Sequence, residues 1–171
     1  EIGIGNYNRK HTKLNLDIGQ TGKLRTKFSA YMLDRDGVVE SSGPDGDLED
    51  KDQVSALAAF SYDITDNVVI DYTYDFSNIT QKPPYSQPVR VGANNIFDPA
   101  SSLYALGGAF FPLDQHVFSE RQENVQLDAN VNEKSKIKGH SLTIEAELDN
   151  AVFKSITGIR DMEWSDVLDL D

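Results

Sequence analysis

The sequence predicts an all-β fold, an antiparallel up-and-down meander, from three observations. Apolar and polar residues alternate along several long stretches, which is typical of strands with one apolar face. No stretch has the apolar periodicity of a helix. The predicted turns at 19–22, 65–67 and 149–150 are short, whereas the connections at about 40–51 and 81–122 are long. Because short and long connections alternate, all short turns fall at one end of the sheet and all long loops at the other.

The first predicted strands precede the acidic loop. Residues 1–18 end in an alternating segment over 14–18, and the Gly-Gln-Thr-Gly composition of 19–22 indicates a tight turn. The next strand is predicted over about 23–39. Its apolar face consists of Leu24, Thr26, Phe28, Ala30 and Met32. An acidic, glycine-rich loop follows over 40–51.

The clearest hairpin lies within residues 52–80, where the even-numbered positions are mostly apolar. Pairing Ile64 with Val68 leaves a three-residue loop, in which Asn67 takes the left-handed conformation that Asn tolerates. Both strands are longer than the roughly 5–6 residues usual in globular proteins. The register keeps the apolar face continuous through the pairs Phe60–Tyr72 and Ala56–Phe76.

A second hairpin is predicted near the end of the chain. Its first strand alternates Leu142, Ile144, Ala146 and Leu148 with polar residues. Residues 149–150 form a predicted two-residue turn, and the strand returns over about 151–164. This register places Lys154 opposite Glu145, which is a favourable cross-strand pair.

Composition excludes several classes of function. The formal net charge of -12 argues against a nucleic-acid partner, because phosphate binding needs basic patches. The chain has no cysteine, which removes disulfides and thiolate metal sites, and no apolar run long enough for a membrane helix. Its 171 residues suffice for one domain. It begins at Glu1 without a targeting segment, so we expect a fragment or a trimmed chain.

No constellation of residues predicts catalysis, a metal or a cofactor. The acidic loop lacks the glycine spacing and the closing Glu of an EF-hand, so it is interpreted as a solvated loop. Its clustered carboxylates are Asp45, Asp47, Glu49 and Asp50. The histidines are scattered, and no Ser-His-Asp grouping appears. They are His11, His116 and His140. We therefore expect that the protein is not an enzyme.

The alternation of short turns and long loops is typical of outer-membrane β-barrels, which direct apolar residues to lipid and polar residues to the lumen. Aromatic residues of the apolar face suit the interfacial girdles of such barrels. They are Phe28, Phe60, Tyr62, Tyr72, Tyr74 and Phe76. A β-sandwich also alternates. The alternative is therefore a soluble or surface-attached sandwich that acts as a binding or adhesion module.

Several motifs resemble the barrel of TonB-dependent outer-membrane receptors. The most specific is Lys-Ser-Ile-Thr-Gly-Ile-Arg-Asp at 154–161, which follows Ser-Leu-Thr at 141–143. Weaker matches are Gly-Asn-Tyr-Asn-Arg at 5–9, Lys-Leu-Arg at 23–25, Asp-Arg-Asp-Gly at 34–37 and the acidic segment 47–52. Together they cover most of the chain except 81–122. No plug domain or TonB box is recognisable, so no energy-coupling residue of the family carries over.

The resemblance implies that residues 1–171 are a partial β-barrel segment of about six strands, from a transmembrane barrel of about 22 strands. It implies a location in the outer membrane of a Gram-negative bacterium, where the parent receptor takes up a nutrient such as a ferric chelate. The implied partners are outer-membrane lipid, a small-molecule ligand of unknown identity, and an inner-membrane TonB-type protein. That protein would supply energy through the plug, which is not in this sequence.

The long connection at 81–122 carries five of the six prolines and several aromatic residues. Loops of this length in compact domains are usually functional or disordered. External loops of such receptors help to capture ligand, and aromatic side chains offer contact area at low entropic cost. The candidate ligand-binding residues are Tyr104, Phe110 and Phe111. The alternative is that they pack the loop against itself, because a loop this long needs its own small core.

Overall fold

The computed structural model of the chain describes residues 1–44, 46–87, 89–94, 96–106, 108, 117–125, 127 and 130–168. Nine strands account for the regular structure of these residues, together with one 3-10 turn at Tyr104–Leu106. The strands are β1 (Ile2–Ile4), β2 (Lys10–Thr21), β3 (Leu24–Arg35), β4 (Glu40–Ser41), β5 (Lys51–Thr65), β6 (Val68–Gln81), β7 (Asn124–Val125), β8 (Asn132–Leu148) and β9 (Ala151–Val167).

Seven of the strands form one antiparallel sheet in the order β1-β2-β3-β5-β6-β8-β9. Each strand of this sheet pairs with its neighbour along the chain, apart from the interposed β4 and β7. Val, Ile, Thr, Tyr and Phe dominate the central strand β6, and these residue types favour a pleated, half-buried surface. The predicted all-β antiparallel meander is confirmed, with seven strands in the main sheet where about six were expected.

The connections differ in length between the two ends of the sheet, but the expectation that all short turns fall at one end is wrong for the first hairpin. Turns at 22–23, 66–67 and 149–150 join strands at one end of the sheet. The connections 36–50 and 82–131 join strands at the opposite end, where the short turn at 5–9 also lies. In an antiparallel meander, consecutive connections must fall at opposite ends. We call the segments 36–50, 82–87 and 117–131 the loop layer, for which only the described residues are considered.

The predicted tight turn at 19–22 is wrong in position. Strand β2 continues to Thr21, which pairs with Leu24, and the turn consists of Gly22 and Lys23. A bulge between Asp17 and Gly19 accounts for the difference, because it absorbs one residue of β2. Gly19 and Gly22 have φ values of 73° and 62°, which favour glycine at both positions. The predicted strand over 23–39 also ends earlier, at Arg35.

The hairpin of β5 and β6 confirms the predicted strand register but not the loop. Phe60 pairs with Tyr72 and Ala56 pairs with Phe76. The expected three-residue loop is wrong, because Thr65 pairs with Val68 and the ladder shifts between Asp63 and Thr65. Asn67 is not among the residues with positive φ, so its expected left-handed conformation is also wrong. The bulge supplies the extra residue that the sequence pattern assigned to the turn.

The hairpin of β8 and β9 is confirmed in its turn and its register. Leu148 pairs with Ala151, which leaves residues 149–150 as the two-residue turn. Glu145 lies opposite Lys154, and Lys154 Nζ donates to Glu145 Oε2 over 2.8 Å. The predicted pair of Lys154 and Glu145 is therefore confirmed, since both side chains point to the same face of the hairpin.

The buried core of the described residues lies outside the main sheet. It consists of four apolar side chains, Val39, Leu48, Val125 and Val131, with Val38, Tyr85 and Leu127 packed against them. All belong to the loop layer. Among the described residues, the main sheet thus contributes no buried apolar side chain to this core. Many of its large apolar side chains are instead exposed.

Candidate functional site

One face of the main sheet carries a continuous band of apolar side chains, which we call the apolar belt. Registers along the whole sheet place these residues on the same face, because paired residues of neighbouring strands point in the same direction. The largest side chains of the belt are Leu14, Leu16, Leu24, Phe28, Met32, Val54, Phe60, Tyr62, Ile70, Tyr72, Tyr74, Phe76, Leu142, Ile144, Phe153 and Ile159.

The belt is open to its surroundings although it is apolar. Met32 and Tyr62 are 56% and 47% exposed although they lie on interior strands of the sheet, and Phe153 of the edge strand β9 is 56% exposed. The second sheet of the described residues, formed by β4 and β7, contacts none of the seven strands. Phe60, Tyr72 and Phe76 therefore have no second sheet above them, in contrast to a sandwich, whose sheets pack about 10 Å apart.

A row of aromatic side chains crosses four strands within the belt. The Phe28 and Phe60 rings meet edge to face with centroids 5.8 Å apart, and Phe60 stacks on Tyr72 at 6.3 Å. His140 continues the row, with its ring 4.9 Å from that of Tyr74. The Tyr72 hydroxyl lies 2.7 Å from His140 Nδ1, so the hydroxyl and one ring nitrogen are partnered within an apolar surface.

The height of the belt matches the thickness of a hydrocarbon layer. Its apolar positions span nine residues in each of the two central strands, at 54–62 and 68–76. Nine residues extend about 30 Å along a strand, which corresponds to about 23 Å for a strand tilted by about 40°. A membrane-spanning strand uses roughly 9–11 residues, and the apolar band of a membrane barrel is about 25 Å tall.

The opposite face of the sheet is mostly polar over β2 to β8 and carries cross-strand charge pairs, whereas the edge strand β9 directs four exposed apolar side chains to it, Val152, Ile156, Met162 and Trp164. Arg25 donates to Asp63 and Ser61 of β5, with Nη2 2.5 Å from Asp63 Oδ1. Lys154 pairs with Glu145, as described above. Both pairs join neighbouring strands of the sheet, which makes them favourable cross-strand pairs.

A glycine allows one ion pair of the polar face to span three strands. Asp75 of β6, Gly139 of β8 and Arg160 of β9 are consecutive partners in the sheet. Arg160 crosses above Gly139, and its Nη2 lies 2.9 Å from Asp75 Oδ1. A Cβ atom at position 139 would lie 2.9 Å from Asp75 Cγ and 3.0 Å from Arg160 Nη2. The space over Gly139 is therefore occupied by the two charged side chains.

We expect that Gly139→Ala displaces the Arg160–Asp75 ion pair and destabilises the folded sheet by up to about 1 kcal/mol, because the new methyl group takes the space of two partly exposed side chains that can move aside. The loss would appear as a lower denaturant midpoint of unfolding in detergent micelles. Gly158→Ala is the matched control on the neighbouring strand, since a Cβ atom there meets only His140 O, at 3.7 Å. Equal midpoints for the two variants would contradict the close approach at Gly139.

The loop layer is held together by a small sheet and the apolar core. Glu40 and Ser41 of β4 pair in parallel with Asn124 and Val125 of β7. Backbone hydrogen bonds extend this ladder, from Glu40 N to Glu123 O at 3.0 Å and from Ser42 N to Val125 O at 3.0 Å. Loops far apart in the sequence therefore form one structure above the sheet. Strands of two residues carry no detectable alternation, so this sheet could not be predicted from the sequence.

The carboxylates of the acidic loop contact cations and amides of the second loop. Arg121 Nη2 lies 2.8 Å from Glu49 Oε1, and Lys82 N donates to Asp50 Oδ1 over 2.6 Å. Lys82 Nζ also donates to Asp47 O over 3.0 Å. Asp45 lies outside the described residues. Within the described ranges no three His, Cys, Asp or Glu side chains are grouped to hold a metal ion. The acidic loop thus docks the second loop through charge.

The sequence-predicted ligand candidates are only partly described. Tyr104 begins the 3-10 turn, where its backbone N–H donates to Ser101 O over 3.1 Å. The Tyr104 ring lies against Gly108, whose N–H donates to Ile96 O over 2.9 Å. Phe110 and Phe111 lie outside the described residues. The ligand-binding role of all three remains a prediction.

No family model, curated protein or solved structure matches the chain. A membrane-crossing helix is absent from the described part of the chain, by length and by apolar character. The features that the described residues form are three surfaces, namely the apolar belt, the polar face and the docked loops. Sequence reasoning found both faces, and it missed the Gly139 crossing, which becomes visible only when β6, β8 and β9 are in register.

Proposed function

We propose that this chain is part of the wall of an outer-membrane β-barrel and belongs to a receptor of the TonB-dependent type. The observation that carries the proposal is the apolar belt, which crosses the sheet at a height that suits a bilayer and has no second sheet over it among the described residues. Burial of this belt in hydrocarbon removes the cost of exposing it to water. The polar face then borders the lumen.

The parent receptor takes up a nutrient such as a ferric chelate, driven by energy from an inner-membrane TonB-type protein that acts through a plug. The segment described here contributes wall and gate and performs no chemistry. The loop layer lies at the end of the sheet that carries the long connections, which corresponds to the external side of an outer-membrane barrel. The short turns at 22–23, 66–67 and 149–150 correspond to the periplasmic side.

Fluorescence quenching from lipid tails tests which face meets the bilayer. The chain has one tryptophan, Trp164, so Trp164→Phe provides a background without tryptophan fluorescence. In that background, Phe60→Trp places an indole on the apolar belt and Ser61→Trp places one on the polar face. We expect brominated acyl chains to quench the indole at position 60 strongly and the indole at position 61 weakly.

The same preparations test the need for a membrane environment. We expect the chain to be monodisperse in detergent micelles and to aggregate in buffer, because the belt and the sheet edges are otherwise exposed. A chain that is monodisperse in buffer, with equal and weak quenching at positions 60 and 61, would overturn the proposal in favour of a water-soluble binding module.

A further inference from the structure

A row of lysines lies on the same face as the apolar belt, at its loop-layer end. Strand β8 carries Lys134, Lys136 and Lys138 at alternate positions, which continue the series Leu142 and Ile144 along the same face. We call these three residues the lysine row. It extends about 13 Å along the strand. The lysines therefore begin where the apolar side chains of β8 end.

The neighbouring strands show what surrounds the lysine row. On the β6 side, Lys134 lies opposite Thr80, Lys136 opposite Asn78, and Lys138 opposite Phe76. Thr80 and Asn78 are uncharged and can donate hydrogen bonds, so two kinds of donor lie side by side. On the β9 side the partners are Ser165, Glu163 and Asp161.

The two carboxylates do not neutralise the row. Lys136 Nζ lies 3.9 Å from Glu163 Oε2, and their side chains are 43% and 80% exposed, which describes a loose surface pair. Three lysines against Glu163 and Asp161 leave a local charge of +1 in a chain whose formal net charge is -12. A basic patch in so acidic a chain favours an anionic partner.

We propose that the lysine row binds the anionic phosphates of lipid headgroups in the leaflet on the loop-layer side. This inference rests on the proposed membrane location. A lipid has an apolar tail and a charged phosphate, and the face of β8 presents apolar side chains followed by cations in the same order. Lysine side chains near a membrane boundary extend their ammonium groups to the headgroup level. Charge complementarity and continuity with the apolar belt select this partner over a soluble anion.

Flotation with lipid vesicles tests the lysine row. The full chain is mixed with vesicles of phosphatidylcholine alone or of phosphatidylcholine with phosphatidylglycerol, at low ionic strength. We expect the triple variant K134Q/K136Q/K138Q to partition into the anionic vesicles about 100-fold less than the unmodified chain, because each of the three lysines near an anionic surface is worth about fivefold. Partition into the neutral vesicles should be unchanged.

Two further variants sharpen the test. K13Q/K27Q/K51Q removes three lysines from the polar face and should leave the difference between the two vesicle types unchanged. Glu163→Gln removes a carboxylate beside the row and should raise partition into the anionic vesicles about threefold to fivefold. Circular dichroism in detergent micelles establishes that each variant folds.

The outcomes separate this inference from the proposed function. A triple variant that loses no partition into anionic vesicles, or loses equally from both vesicle types, overturns the lysine row while the membrane location stands. Competition by inorganic phosphate, relative to chloride at equal ionic strength, would make the row a site for soluble anions and would also overturn it. Failure of the unmodified chain to float with either vesicle overturns both.

Discussion

Ala58→Arg is expected to lower the partition of the chain into lipid vesicles by roughly 30- to 900-fold. Ala58 is the midpoint of the belt segment 54–62, between Phe28 of β3 and Tyr74 of β6 in register and surrounded by apolar side chains. An arginine at the midplane of the lipid face of a membrane barrel costs about 2–4 kcal/mol, which corresponds to this range. Vesicle flotation measures the change.

The adjacent Ala59→Arg is the control for this substitution. Residue 59 points to the polar face, in register with Lys27 and Thr73 and next to Asp71 along β6, so an arginine there remains in a polar environment. We expect partition within about threefold of the unmodified chain, the size of an ordinary surface substitution. If both arginines had the same small effect, the even-numbered face would not meet hydrocarbon.

Leu48→Ala is expected to release the loop layer from its docked arrangement, at a local cost of about 2–5 kcal/mol. Leu48 is 2% exposed and packs with Val39, Val125 and Val131. Its backbone also bridges to Val39, with Leu48 N donating to Val39 O over 2.8 Å. The variant should lose hydrogen-exchange protection at residues 36–42 and 122–125, while the seven-stranded sheet keeps its protection.

Leu106→Ala provides the same change in side-chain volume at an exposed loop position. Leu106 is 76% exposed, so we expect a change within about 0.5 kcal/mol and an unaltered exchange pattern. Loss of protection throughout the main sheet of Leu48→Ala would contradict the local character of the core. Unchanged protection in the loop layer would contradict its role in docking.

The long strands could be predicted from sequence because their alternation repeats over many residues. In β5 and β6 the apolar face is marked at Phe60, Tyr72 and Phe76, and a slip by one residue would turn every side chain to the wrong face. The register of this hairpin was therefore correct. The ends were not, because the bulge near Ile64 adds a residue without changing the residue types on either side.

The loop layer could not be predicted for a different reason. The ladder of β4 and β7 involves only two residues in each strand, and Ser41 and Val125 are far apart in the sequence. Such a pairing depends on the three-dimensional position of the strands that precede it. The acidic loop was interpreted as solvated, whereas Glu49 and Asp50 contact cationic residues of the second loop.

The surface features of β8 and β9 became visible only through the sheet register. Strand β8 follows β6 after the long connection 82–131, so the sequence does not indicate which residue of β6 lies opposite Lys138 or Gly139. The register places Lys138 opposite Phe76, at the boundary of the apolar belt. It places Gly139 beneath the Arg160–Asp75 ion pair. The lysines of β8 are visible in the sequence, but the residues of β6 that lie opposite them are not.

The docked loops also form a mechanical linkage. The segment 36–50 leads directly into β5, and the segment 117–131 leads directly into β8. In the sheet, β6 lies between β5 and β8, so the two segments enter strands on either side of it. Because the Glu49–Arg121 contact and the shared ladder join them, a force applied to one loop is transmitted to the other. We therefore expect the two loops to leave their docked arrangement together and not one at a time.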